Sequence, residues 1–256
     1  MTQSLHPATQ GFEIAAALYQ HARPNYPAAL NDYLKTLTLT PHTPLLDLGS
    51  GTGKFLPYLL SLGHQVIAAD PVAPMLTQLQ QVYPEVQTLH AQAEQLPLPD
   101  QHVALVSCAQ SFHWFAHLDA LKEIHRVLQP QGELLLIWNQ RDTTLDWVAA
   151  IAELLLPLEG DTPRYHSENW KKVFENQKLF ASVEQRCFTH WHEGRVADVV
   201  LARIASTSFI AKLPHHQQQY IQQQLADLVL QYTGKAVEDQ IAFPYVTSVY
   251  RFKKLE

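Results

Sequence analysis

The chain has 256 residues, 46% of them apolar, and a formal net charge of −6; that is enough apolar material for one large α/β domain, or for a core domain with an inserted cap, so disorder is excluded as the default. No lysine or arginine run occurs, and a nucleic-acid partner is disfavoured because phosphate binding leaves a basic footprint. Cys108 and Cys187 alone make neither a disulfide framework nor a C-x-x-C site, and a polar Met1 to Gln10 stretch with no long apolar run predicts a soluble, cytoplasmic chain with no membrane partner.

Residues 12–40 read as two helices broken at Pro24 and Pro27. Phe12, Ala15, Ala16 and Tyr19 fall at helical spacing in the first, Leu30, Tyr33, Leu34 and Leu37 in the second. Leu45 to Leu48 is a short apolar run containing Asp47, which predicts a buried parallel strand, and glycines at 49, 51 and 53 then lead into Phe55-Leu56 and Leu59-Leu60, a helix. Glycine suits such a loop because it tolerates positive φ and lets a ligand approach the backbone. The spacing is not the dinucleotide fingerprint, since Lys54 stands where its last glycine belongs, and Leu48 and Phe55 rule out the P-loop. After Gly63, a candidate helix cap, Val66 to Ala69 predicts a second strand ending at Asp70. An acid about twenty residues beyond a glycine loop is placed to accept both hydroxyls of a ribose, so the ligand expected is adenosine-like.

Pro71 and Pro74 precede an amphipathic helix through Met75, Leu76, Leu79, Val82 and Tyr83. Gln87 to His90 reads as a short strand leading to Ala93-Glu94, and Val103 to Ser107 as the next. Ligands of open α/β sheets bind beyond the carboxyl ends of the strands, so Gln110 to Phe115 faces the reacting group. A helix through Asp119, Leu121, Ile124 and Leu128 stops before Pro130, and Glu133 to Asn139 reads as the fifth strand. Beyond Arg141 the pattern gives a helix over Trp147 to Leu155, another over Trp170 to Leu179, and an alternating strand over Val183 to Trp191. A helical pair follows, over Val196 to Ile204 and over Tyr220 to Tyr232 with Gly234 as its end; the last stretch, Ile241 to Phe252, is extended.

The Asp47 to Gly53 stretch, Asp70, Ala93-Glu94-Gln95-Leu96-Pro97 and Leu128-Gln129-Pro130-Gln131-Gly132, in this order over residues 45–139, resemble the motifs of the class I S-adenosylmethionine-dependent methyltransferases. The resemblance implies an α/β fold, Rossmann-like, with a seven-stranded, mostly parallel sheet and helices on both faces. It implies an N-terminal helical lid over residues 1–40, a cofactor-binding core over 41–140, and over 141–256 the rest of the sheet with a helical substrate cap at about 195–235, all in one structural domain. Tyr19 to Pro27 resembles the Y-x-x-x-R-P-x-Y-P segment of the family's small-molecule branch, to which trans-aconitate methyltransferase belongs; there Arg23 would pair with the methionine carboxylate and Tyr19 would line the site. The cofactor set that the resemblance implies is Tyr19, Arg23, Asp47, Gly49, Gly51, Gly53, Asp70, Met75, Ala93, Glu94 and Gln110, with S-adenosylmethionine as donor and S-adenosylhomocysteine as product.

Phe112, His113, Trp114, Trp191 and Arg203 are the candidate contacts to a small-molecule acceptor. His113 reads either as the catalytic base, since histidine titrates near neutrality, or as a packing residue beside Trp114. An acceptor carboxylate is already ionised at neutral pH and needs no base. His113 with His117, and His190 with His192, lack a third ligand, so no metal is expected. A cofactor-binding protein without methyl transfer and a nicotinamide-dependent oxidoreductase are the alternatives, the latter disfavoured by the glycine spacing.

Overall fold

The computed structural model describes residues 23–256. Helix α1 (Ala28–Leu34) precedes β1 (Leu45–Leu48), α2 (Leu56–Leu60), β2 (Val66–Asp70), α3 (Ala73–Val82), β3 (Gln87–His90) and β4 (Val103–Ala109). After a 3-10 turn at Phe112–Trp114 come α4 (Leu118–Val127), β5 (Leu128–Arg141) and α5 (Asp146–Glu159). A second 3-10 segment, Asn169–Phe174, leads to β6 (Phe180–Arg195); a π-helical segment, Ala197–Ala202, runs on into α6 (Arg203–Ala205), α7 (Ser208–Ala211), α8 (His215–Thr233) and β7 (Gln240–Lys254). The strands form one seven-stranded sheet in the order β3-β2-β1-β4-β5-β7-β6, and β3, β2, β1, β4 and β5 pair in parallel. The Rossmann-like α/β architecture expected from the motifs is therefore present.

The contacts of the chain gather into two compact units. The first takes Tyr26–Asn139, Pro163–Phe188 and Thr247–Glu256; the second takes Gln140–Thr162 and Thr189–Val246 with the described residues 23–25.

In the first unit, successive strand residues point to opposite faces and both faces are buried. Leu46, Leu48, Ile67, Ala69, Val106, Cys108, Leu134, Leu136 and Trp138 meet Leu121, Ile124 and Val127 of α4. The alternate residues Leu45, Val66, Ala68, Leu105, Leu135 and Ile137 meet Leu30 and Leu34 of α1, Leu56 and Leu59 of α2, and Leu76 and Leu79 of α3. Each such leucine, being almost wholly buried, contributes on the order of 2 kcal/mol. This two-sided burial explains why the strands read as continuous apolar runs. Helix α2 ends at Leu60, the last of its apolar positions, and Gly63, at φ +76°, donates to the Leu60 carbonyl. Between Leu128 and Glu133 the register of β5 against β4 jumps, with Gln131 at φ +64°. A charged ladder ties the far strands together: Arg251 on β7 donates to buried Glu133 on β5 through Nε (2.9 Å) and Nη2 (2.5 Å), and to Glu184 on β6 through Nη1 (3.1 Å).

In the second unit Val148, Ile151 and Leu155 of α5, Val199, Val200 and Ile204, Ile221, Leu225 and Val229 of α8, and Phe243 and Tyr245 of β7 form one apolar cluster. The 3.6-residue spacing of these positions is why α5 and α8 were legible as helices. Gly234, at φ +69°, ends α8 by donating to the Leu230 carbonyl. Among the described residues no helix is long and apolar enough to cross a membrane, and no three His, Cys, Asp or Glu side chains gather as a metal cage.

Candidate functional site

The carboxyl ends of β1, β2 and β4 carry the candidate cofactor site. The chain leaves β1 through Gly49, Gly51 and Gly53, all at positive φ. At Gly49 a side chain has no room: a Cβ there would stand 2.4 Å from Ser111 Cβ. At Gly53 it would meet Leu56, Leu79 and Tyr83 at 3.0–3.2 Å. At Gly51 it would meet no atom of the described residues within 4 Å, so among them this peptide is bare. The loop is thus pressed onto its supports at both ends and bare in the middle.

Asp70 ends β2, and its carboxylate accepts from the backbone N–H of Val72 and of Gly51, each at 2.8 Å. Each oxygen keeps a second lone pair for a further donor. Asp47 is buried in β1; one oxygen accepts from Ser107 Oγ at 2.8 Å, and the other, Oδ2, is buried with no hydrogen-bond partner among the described residues. Thr52 Oγ1 is buried in the same condition. Two orphaned buried polar atoms beside a glycine loop fit a ligand that brings both a donor and polar groups, since leaving such atoms unmade costs about 1–3 kcal/mol each. Burial pushes the Asp47 carboxyl up to about 7, with Ser107 opposing and Asp70 adding to the rise. Burial also lifts Asp70 to about 6, against the pull of the Val72 and Gly51 N–H groups.

Met75 is buried on α3 and Ala93 is buried beyond β3. Glu94 directs its carboxylate to His117 Nε2 at 2.7 Å. Gln110 follows β4 at φ +63°; its backbone N–H donates to the Ile137 carbonyl and its side-chain amide to the Asn139 carbonyl, both at 2.8 Å. Ser111 Oγ donates to the Leu48 carbonyl at 2.7 Å, which joins the end of β4 to the glycine loop. Phe112 is fully buried, its ring 5.6 Å from those of Phe115 and Phe174, so its side chain belongs to the core. The candidate substrate contact at this position therefore supports the 3-10 turn from beneath. His113 and Trp114 are partly exposed on that turn, rings 5.3 Å apart, and His113 Nδ1 accepts from the indole N–H of Trp138 at 3.0 Å.

The remaining candidates lie in the second unit. Arg23 Nη2 donates to the Ser206 carbonyl at 3.2 Å, and Arg203 Nη1 meets Thr207 Oγ1 at 3.4 Å. Trp191 is exposed on β6. Tyr19 lies outside the described residues. The structure thus brings Asp47, Gly49, Gly51, Gly53, Asp70, Met75, Ala93, Glu94, Gln110 and the Phe112–Trp114 turn into one unit, and Arg23, Trp191 and Arg203 into the other.

Sequence reasoning missed Ser107, Ser111, Thr52 and Trp138. Ser107 is the register partner of Asp47 across the β1–β4 pair, so its role follows once the strand order is known. Trp138 read only as an apolar strand residue, and nothing local tied it to His113, 25 positions away.

The model of the "Methyltransferase domain" family matches residues 46–136, from β1 to β5. An uncharacterized methyltransferase-like protein of Schizosaccharomyces pombe is 34% identical over 250 residues, 95% of each chain. A malonyl-[acyl-carrier protein] O-methyltransferase of Yersinia pestis is 34% identical over 139 residues, 51% of this chain and 52% of that one. Among solved structures, a type II methyltransferase assignment from Anaeromyxobacter dehalogenans superposes with a TM-score of 0.69 at 22% identity, over 90% of this chain and 97% of that one, and shares the fold. The strand order, the glycine loop with Asp70 and these similarities, one of them over 95% of the chain, together place the chain in the class I S-adenosylmethionine-dependent methyltransferase family, as an enzyme that takes S-adenosylmethionine as its methyl donor.

Proposed function

We propose that the enzyme methylates a small molecule and that the acceptor group is a carboxylate. One observation carries the cofactor half: the bare Gly51 peptide beside an Asp70 carboxylate that still has lone pairs to offer. In this reading Asp70 receives the ribose hydroxyls, and Asp47 Oδ2 and Thr52 Oγ1 turn toward the amino-acid end of the donor. Met75 walls the ribose and adenine, Ala93 and Glu94 hold the adenine edge through their backbone, and Gln110 fixes the peptide after β4. His113 and Trp114 contact the acceptor, while Phe112 supports the turn.

The bound cofactor supplies a sulfonium-activated methyl, so the residues of this chain need only hold the acceptor oxygen in line and exclude water, a proximity effect of large size. The likeness of Tyr19 to Pro27 to the trans-aconitate branch and the O-methyltransferase relative from Yersinia pestis both favour an oxygen acceptor on an acid. The test is incubation with methyl-labelled S-adenosylmethionine and a panel of mono-, di- and tricarboxylic acids, phenols and amines. Label in a base-labile methyl ester is the result expected. Label only on phenols or amines removes the carboxylate reading, and no label on any small molecule removes the small-molecule reading.

A further inference from the structure

We infer that Trp138 is a positioning residue that fixes His113 in its Nε2–H form, so that His113 is not the base that deprotonates the methyl acceptor. This rests on the methyl-transfer reading above and on its carboxylate acceptor, which arrives with no proton to lose.

An indole nitrogen only donates. The 3.0 Å contact from Trp138 Nε1 to His113 Nδ1 therefore engages the Nδ1 lone pair, and a neutral imidazole with that lone pair engaged carries its hydrogen on Nε2. For His113 to accept a proton at Nδ1 the indole bond has to break. To accept one at Nε2, the ring has to carry a hydrogen on Nδ1, directly opposite the indole N–H, with two donors confronting each other. Both routes to a base pass through the loss of this contact.

Trp138 is held too firmly to move aside. It is fully buried on β5, with ring centroids of Trp170 at 4.4 Å, Tyr165 at 5.0 Å and Tyr250 at 5.8 Å. The surrounding polar tips are satisfied elsewhere: the Tyr165 and Tyr250 hydroxyls bond each other at 2.8 Å, and the Trp170 indole donates to the Tyr165 carbonyl at 3.2 Å. The packed aromatic box leaves Trp138 one orientation, since close-packed interiors do not yield to a large ring. From the other side, buried Phe112 anchors the 3-10 turn that presents His113.

Long-range proton–nitrogen correlation spectra at pH 8 read the form directly, with the His113 ring assigned by its disappearance in His113→Gln. The expected spectrum has His113 Nε2 protonated and Nδ1 unprotonated in the wild-type protein, shifting toward a mixture of the two forms in Trp138→Phe. A hydrogen on Nδ1, or rapid exchange between both forms in the wild type, overturns the proposal; this holds even if Trp138→Phe folds poorly, because the wild-type spectrum decides. A thermal-unfolding run with S-adenosylhomocysteine is read separately. Absence of any rise removes the methyl-transfer reading and with it the acceptor half of the proposal, whereas a rise accompanied by a hydrogen on Nδ1 overturns the proposal alone. Label confined to phenols or amines in the panel above also overturns the acceptor half.

Discussion

Replacing Asp47 with asparagine should stabilise the ligand-free protein at pH 8 and destabilise it at pH 4.5. Burial raises the Asp47 carboxyl from 3.8 to about 7 in the folded state. A group raised in this way contributes stability that is fully present below the unfolded value and is lost as pH rises through the folded one. At about 1.4 kcal/mol per pH unit, ionised Asp47 therefore costs the folded state about 4 kcal/mol at pH 8. Asparagine removes that cost and still accepts from Ser107 Oγ, which now stands 2.8 Å from Oδ1. It also sets an amide nitrogen where Oδ2 has no partner among the described residues, which costs about 1–3 kcal/mol. The balance at pH 8 is a gain of about 1–3 kcal/mol; at pH 4.5, where the shift still costs about 1 kcal/mol because the unfolded carboxyl is mostly ionised, it is a loss of up to about 2 kcal/mol. For a chain of this length each kcal/mol moves the midpoint by about 2–4 °C. Calorimetric or fluorescence melts of both proteins from pH 4.5 to 8 should show their midpoints crossing as pH rises. Parallel curves, with the variant lower by the same amount at every pH, would refute the assignment of a burial-raised carboxyl to Asp47.

Gly49→Ala puts a Cβ 2.4 Å from Ser111 Cβ at φ +75°; the left-handed backbone alone costs about 1–2 kcal/mol, so urea melts should show a larger loss than that, whereas Gly51→Ala, whose Cβ would meet no atom of the described residues, should lose only the backbone share. Tyr245→Phe deletes a buried hydroxyl that has no partner among the described residues, so its midpoint in thermal melts should be unchanged or higher; a loss beyond about 1 kcal/mol would show a bond the structure does not contain. Arg251→Ala strips the partner from buried Glu133 and should cost about 3–5 kcal/mol in denaturant unfolding, while an effect under 1 kcal/mol would mean that Glu133 is solvated.

The parts of the fold that the sequence revealed are those whose signal is local. Leu45 to Leu48 and Val66 to Ala69 are short apolar runs because both sheet faces are covered, and the periodic spacing along α5 and α8 reflects a single buried stripe. Gly49, Gly51, Gly53 and Asp70 were legible because a turn needing positive φ and an acid at a strand tip leave one-dimensional marks. What stayed hidden depends on pairing across the sheet. Ser107 meets Asp47 only through the β1–β4 register, and Trp138 reaches His113 only because β5 lies beside β4. Phe112 shows the converse error: its place in a segment beyond a strand end pointed to the acceptor, but its bulk is spent in the core. The reach of β6 back to Phe180 and on to Arg195 was also not visible, since its exposed half lacks an apolar pattern.

Thermal unfolding of the wild type and of Asp70→Ala with S-adenosylmethionine, S-adenosylhomocysteine and NAD tests the cofactor site. A ligand of the folded state at about a hundred times its dissociation constant adds roughly 2.7 kcal/mol. A raised midpoint is expected with the two sulfur nucleotides, none with NAD, and a much smaller rise in the variant, whose loop lacks the carboxylate that Gly51 now binds. Equal rises in the wild type and the variant would contradict the placement of the ribose on Asp70, and a wild-type protein indifferent to both sulfur nucleotides would contradict the cofactor site itself.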